Sequence, residues 1–201
     1  MAQAIELRAE VRTATGKGAS RRMRRLENKV PGVIYGGGGE AMSLTFAYFD
    51  LANATAQETF YSQILTLDIG GVREQAIVRD MQRHPASERV THIDFLRVRA
   101  DQTLTVSIPI HFLHEDRCVG VRLGGGSLSH NLTEVEVECL PKDLPQYIEV
   151  DVTDLAVGAS IHLSDLVLPE GVIIPSLSHG TDYDLPVVAV NAARGEAADK
   201  A

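Results

Sequence analysis

Apolar residues recur at every second position along this chain, in short runs broken by turn residues. That alternation limits the fold more than any other feature. IELRAEVR (5–12) sets Ile5, Leu7, Ala9 and Val11 against Glu6, Arg8, Glu10 and Arg12, the pattern of a strand with one buried and one charged face. RVTHIDFLRV (89–98) sets Val90, His92, Asp94 and Leu96 against Thr91, Ile93 and Phe95. QILTLDI (63–69) and REQAIVRDMQ (73–82) flank Gly70-Gly71, a hairpin signal. GVIYG (32–36) and SLTFA (43–47) read as further strands. Two short helices interrupt them, at 19–28 and at 48–59, with Asp50 as the expected cap of the second. Pro31 ends the first helix, because proline disfavours helical backbone at the preceding Val30. The first half therefore predicts a mixed β-barrel or sheet with a few short helices.

After RADQT (99–103) the helical segments disappear. LTVSIPIHFL, TEVEVECL, QYIEVDV and LPVVAV read as strands between Gly-, Pro- and Asp-rich turns, with one helical turn near LSDL (163–166). The expected class is mainly β: a first domain over 1–99, a second, all-β domain over 100–191, and a polar tail over 192–201. Trp is absent and aromatics are 5% of the 201 residues, so both cores must rest on Val, Ile and Leu. No apolar run approaches the roughly 20 residues that span a bilayer, and the N-terminus has no signal-peptide core. The chain is expected to be soluble and intracellular, with no membrane partner. Cys118 and Cys139 cannot form a zinc site alone and lack a redox-pair spacing. Two buried, reduced thiols are expected in preference to a single disulfide.

Charge divides the chain as sharply as pattern does. Residues 1–99 hold 14 Lys/Arg against 11 Asp/Glu, a net +3, and residues 100–201 hold 5 against 16, a net −11. The overall −8 hides two unlike halves, of which only the first suits a polyanion. Within it, Lys17, Arg21, Arg22, Arg24, Arg25 and Lys29 fall in 13 positions against one acid, Glu27. At about 100° per residue, Ala19, Met23 and Leu26 share one stripe of the helix. Arg21, Arg24 and Arg25 face away from it, with Arg22 at the flank. A helix this short needs that stripe docked on a sheet. A solvated charged face is the competing reading. The arginines repel one another and lack acidic partners one turn away, and their planar forks suit phosphates, so nucleic-acid binding is the preferred one.

Other motifs exclude other chemistries. GKGAS fails as a phosphate-binding P-loop, with Val11 where its first glycine belongs and Gly18 where Ser or Thr should follow the lysine. His111 and His114 sit three apart in a strand pattern and so point to opposite faces, and no acid or cysteine array completes a metal site. No nucleophile elbow or acid–base pair is marked out, so neither enzyme activity nor a cofactor or metal is expected. Taken alone, Tyr35 reads as a core residue in preference to a stacking platform, and His92 with Asp94 as a local hydrogen-bonded pair.

Several segments together resemble a known family. EVRTATGKGASRRMRR, PGVIYGG, FYSQILTL and DMQRHPASERVTHIDFLRV are similar to the bacterial large-subunit ribosomal protein family that binds 5S ribosomal RNA. GVRLGGGSLSHNLTEVEVECLP, DLPQYIEVDVTDLAVGASIHLSDL and LPEGV resemble the all-β C-terminal domain of its long form, which includes the general stress protein Ctc. The resemblance implies an N-terminal β-barrel that docks on loop E of 5S RNA, its helix entering a widened minor groove. That fits A-form RNA, whose minor groove is wide and shallow. Carried onto matching positions, the implied RNA-contact residues are Arg12, Lys17, Ser20, Arg21, Arg22, Arg24, Tyr35, Gln82, His92 and Asp94. The implied role is a structural, cytoplasmic constituent of the large subunit at its central protuberance, a monomer on the ribosome beside neighbouring large-subunit proteins. A stress- or assembly-linked 5S RNA-binding factor whose acidic domain recruits a protein partner is the alternative.

Overall fold

A computed structural model describes residues 5–180 and 183–192. Six strands close a barrel: β1 (Glu6–Val11), β2 (Lys29–Tyr35), β3 (Met42–Ala47), β4 (Leu65–Ile69), β5 (Val72–Arg83) and β6 (Val90–Arg97). Around the barrel the order is β1-β3-β2-β6-β5-β4. β4 returns parallel to β1, β2 lies parallel to β6, and the other pairs are antiparallel. The alternation in sequence becomes the inside and outside of the barrel. Leu7 and Ala9, Leu65 and Leu67, and Ile93 and Phe95 turn inward, joined by Ile34, Leu44 and Phe46. Phe46 and Phe95 meet with ring centroids 5.2 Å apart. Gly32 on β2 permits this closeness, because a Cβ there would stand 2.8 Å from the Phe46 ring and 2.7 Å from the Ile93 carbonyl.

The β4–β5 hairpin turns on Gly70-Gly71, as expected, with Ile69 opposite Val72. The second helix, α2 (Tyr48–Thr55), differs from expectation in its cap. Ala47 precedes it, and Asp50 lies inside its first turn, where a carboxylate still complements the positive end of the helix dipole. Leu51 and Ala54 of α2, with Phe60 beyond it, join the barrel core.

The chain forms two compact units, against an expected boundary at 99/100. The first runs to Leu104 and includes Leu140–Leu144; the second comprises Thr105–Cys139 and the described residues from Pro145 onward. The second unit carries two three-stranded sheets. One has the order β10-β7-β9, from β7 (Leu104–Leu113), β9 (Glu134–Cys139) and β10 (Ile148–Asp151), with β10 parallel to β7. The other has the order β11-β12-β8, from β8 (Ser127–His130), β11 (Ser160–His162) and β12 (Pro186–Asn191). The helical turn near 163–166 is present as Leu163–Asp165, and the short helix α3 (Val119–Arg122) and two 3-10 turns accompany it. Cys118 and Cys139 are both free and buried. The expected polar tail lies, from residue 193, outside the described residues.

Candidate nucleic-acid interface

The basic segment leaves β1 through TATG and forms α1 (Lys17–Arg22), which has no side-chain cap and no buried residue. It continues into a π-helical turn, Met23–Glu27, that ends at Asn28 in the left-handed conformation (φ 50°). Lys17, Arg21 and Arg22 are exposed. Met23 is buried at 8% exposure, but Leu26, expected beside it, is 79% exposed. Arg24, expected on the outer side with the other arginines, is half-buried and donates from Nε to the Thr91 carbonyl at 3.0 Å. A π turn advances by roughly 80–90° per residue where an α-helix advances about 100°, so positions beyond Met23 fall progressively behind the expected phase. By Leu26, three residues on, the lag is about 30–60°, and that side chain swings off the barrel. Arg24, one residue on, is shifted little by the lag; its long side chain is held against the barrel by the bond to Thr91. A second tie joins β1 to the helix, where Arg12 donates to the half-buried Ser20 hydroxyl at 3.1 Å.

Thr91 is available to Arg24 because β6 carries an irregularity there. Gln82 pairs with His92 and Arg83 with Val90, which leaves Thr91 outside the one-to-one register. The extra residue is a β-bulge, and it reverses the alternation at the strand's start. Val90 consequently turns into the core rather than out with His92, Asp94 and Leu96. The Thr91 hydroxyl returns a bond to the Gln82 carbonyl at 3.0 Å.

Beyond the bulge, paired residues share a face. Gln82 lies opposite His92, Asp80 opposite Asp94, Val33 opposite Asp94 and Tyr35 opposite Leu96. Gln82, His92, Asp94 and Tyr35 thus stand together on the outside of three neighbouring strands, β5, β6 and β2. Tyr35, which alone reads as core, is half-buried on this outer face instead. His92 Nδ1 and Asp94 Oδ1 are 2.6 Å apart, with both side chains slightly more than a quarter exposed. The carboxylate holds the Nδ1 proton and leaves Nε2 as an acceptor on the neutral ring or a donor on the charged one. The free Asp94 oxygen can accept from a base amino group or a 2′-hydroxyl.

Sequence reasoning missed one residue that shapes this face. Arg97 pairs with Glu74 of β5 at 2.6 Å and donates to the Gly36 and Glu40 carbonyls at 3.5 and 2.9 Å, so it holds the two ends of the glycine loop after Tyr35. That loop follows Leu96 and Arg97 closely. A Cβ on Gly36 would lie 2.6 Å from Leu96, and one on Gly37 would lie 2.8 Å from Arg97, and both backbones have positive φ.

Elsewhere the chemistry is structural. His111 stacks on Tyr147 at 4.6 Å while His114 lies 3.4 Å from Asp151, so the two histidines serve different partners. Among the described residues no three His, Cys, Asp or Glu side chains gather in a metal-binding group. The carboxyls held below their ordinary value are Asp151, by the Thr153 hydroxyl and amide, and Asp184, by the Ser164 hydroxyl and amide; both lie on the surface of the second unit. No helix among the described residues is long and apolar enough to cross a membrane.

Comparison with known proteins divides the chain similarly. Residues 7–95 match the family described as Ribosomal L25p, and residues 103–194 match the one described as Ribosomal protein TL5, C-terminal domain. The chain is 53% identical to the large ribosomal subunit protein bL25 of Hahella chejuensis, across all of this chain and 97% of that protein. It is 49% identical to the bL25 of Alkalilimnicola ehrlichii, across 98% of this chain and 91% of the relative. It is 48% identical to that of Pseudomonas paraeruginosa, across 94% and 91%.

Proposed function

The chain belongs to the bL25 family of large-ribosomal-subunit proteins, in its two-domain form, and from that membership we propose that it binds 5S ribosomal RNA through the first unit. It is a cytoplasmic ribosomal protein and not an enzyme. One observation carries the finer reading. The exposed Lys17, Arg21 and Arg22 project from a helix tied by Arg24 to Thr91, immediately beside the outer face that bears Gln82, His92 and Asp94.

Such an arrangement divides the labour of RNA recognition. Guanidinium and ammonium groups on the helix engage phosphates and set position without reading sequence. His92, Asp94 and Gln82 offer directional donors and acceptors to base edges or 2′-hydroxyls in a shallow minor groove. Tyr35 adds an amphipathic ring at the edge of the same face. The site suits loop E of 5S RNA, where non-standard pairs expose such edges, and the family resemblance implies a monomer at the central protuberance. The acidic second unit, net −11 from residue 100 onward, is repelled by RNA backbone and suits neighbouring ribosomal proteins instead. Full-length identity to relatives named as subunit proteins favours a constitutive ribosomal role over a stress-linked one.

The test is a gel shift of the full chain with 5S RNA and with a loop E mutant, repeated over a range of salt. A marked preference for the intact loop is the expected result. Equal binding to both RNAs would refute recognition of loop E.

A further inference from the structure

A cavity of about 220 Å³ opens where the π turn, the β5–β6 turn and the start of α2 come together in the first unit. Its wall includes Arg24, Arg25, Asn28, His84, Arg89 and Thr91, and no carboxylate. None of the RNA-contact positions implied by the resemblance, apart from Arg24, lies in it.

The cations are placed rather than merely close. Arg89 lies over the Tyr48 ring, 4.3 Å from its centroid, and donates over a longer 3.5 Å to the side-chain amide oxygen Oδ1 of Asn28. Its guanidinium is thus oriented by the ring and the amide and is not consumed by a carboxylate among the described residues. Arg25 is exposed and likewise has no acidic partner among them. His84 Nδ1 accepts the Ala86 amide at 3.3 Å, which leaves Nε2–H as the ring's donor. Lys29 also borders the cavity, but it is paired with Glu10 and contributes less. Glu27 and Glu88 flank these residues in sequence without lining the cavity.

Cations gathered without a counter-charge repel one another, and an anion relieves that repulsion. The volume is below the roughly 300–1,000 Å³ of pockets that hold drug-sized ligands, which selects a phosphate group with its water over a whole nucleotide. Arg forks match phosphate oxygens with two donors at once. Arg24 and Thr91 belong both to this cavity and to the junction beside His92, so a strand lying on the His92 face can continue into it.

We infer that this cavity seats a backbone phosphate of ribosomal RNA, held by Arg25, Arg89 and His84, and extends the RNA-binding surface past the helix to the β5–β6 turn. The inference rests on the RNA-binding reading above.

The experiment compares the full chain with Arg25→Gln, Arg89→Gln and, as a control for lost charge, Arg73→Gln at the opposite end of β5. Affinity for 5S RNA is measured over a range of KCl concentrations, and the His84 ring resonances, assigned with His84→Gln, are followed during titration with 5S RNA and separately with inorganic phosphate. Arg25→Gln and Arg89→Gln should each make the salt slope shallower by roughly 0.7–0.9, the signature of one lost phosphate contact, while Arg73→Gln leaves it unchanged. 5S RNA should move the His84 resonances. Arg25 is exposed, so its variant keeps the test valid even where loss of the Tyr48 stack disturbs the fold. A parent chain that binds 5S RNA, with slopes unaltered in both variants, overturns this inference alone. His84 resonances moved by inorganic phosphate but not by RNA would assign the cavity to a free anion and also overturn it. A parent chain that does not bind 5S RNA overturns the RNA-binding reading and this inference with it.

Discussion

Met23→Asp should abolish tight RNA binding although Met23 faces the barrel and not the solvent. The basic segment Lys17–Glu27 has no side-chain cap, and isolated helices below about 12–15 residues are marginal. Its ties to the barrel are the buried Met23, the Arg24–Thr91 bond and the Arg12–Ser20 bond. Burial of the methionine contributes about 1.5–3 kcal/mol and each part-buried hydrogen bond about 0.5–1.5 kcal/mol, so docking is held by roughly 2.5–6 kcal/mol. An aspartate removes the first contribution and adds the cost of an unpaired buried carboxylate, on the order of several kcal/mol. The docked form then becomes the minor one. RNA binding must restore it, and each ~1.4 kcal/mol of undocking weakens apparent affinity tenfold, so a loss of about a hundredfold or more is expected. Met23 is not part of the barrel's core cluster, so the barrel's own unfolding should shift less than for Leu67→Ala, a core truncation costing about 2–5 kcal/mol. Leu26→Asp is the contrasting variant, because Leu26 is exposed; it should leave the helix docked. Amide exchange across residues 18–27 reads docking, and titration with 5S RNA reads affinity. Protected amides and unchanged affinity in Met23→Asp, or equal loss of protection in Leu26→Asp, would refute the assigned anchor.

Three further outcomes separate roles. Arg21→Ala and Arg22→Ala should weaken binding to every RNA helix and make the salt slope shallower by roughly 0.7–0.9 per contact, as measured on 5S RNA and on a loop E mutant. His92→Ala or Asp94→Ala should cost about 1–3 kcal/mol on 5S RNA and little on a non-cognate helix, with the slope almost unchanged; equal losses on both RNAs would reduce the pair to a structural one. In the second unit, the Ser164 hydroxyl and amide, at 2.8 and 3.0 Å, hold the Asp184 carboxyl below its ordinary 3.8. A depressed folded value means the contribution to stability is complete above 3.8 and is lost as pH falls through the lower value. Asp184→Asn should therefore flatten the acid limb of the stability profile, read by denaturant midpoints at a series of acid pH values. An unchanged limb would show that the carboxylate contributes nothing there.

Alternation was enough to find the six barrel strands, because each strand in a closed barrel has one face in the core and one outside. It was enough also for β7, β9, β10 and β12 of the second unit. The short strands Ser127–His130 and Ser160–His162 went unseen because SLSH and SIH carry no apolar alternation; their pairing to β12 supplies the structure. Asp50 was recognised as a residue suited to a helix start but placed at the wrong position. A carboxylate in the first turn and one at the cap draw on similar electrostatics, so the residue type does not settle its position.

At the candidate interface the misplaced residues have a common origin. Helix phase assumes a fixed advance per residue and strand alternation assumes a period of two, and each assumption fails at one point near the basic segment. The π turn at Met23–Glu27 rotates Leu26 outward, while the bulge at Thr91 turns Val90 into the core. The two irregularities meet, since Arg24 within the π turn bonds the Thr91 carbonyl left outside the register by the bulge. Regular elements would have kept Leu26 on the barrel and placed Val90 outside beside His92. The departures from period therefore fasten the cationic helix to β6 while His92 and Asp94 keep their shared outer face.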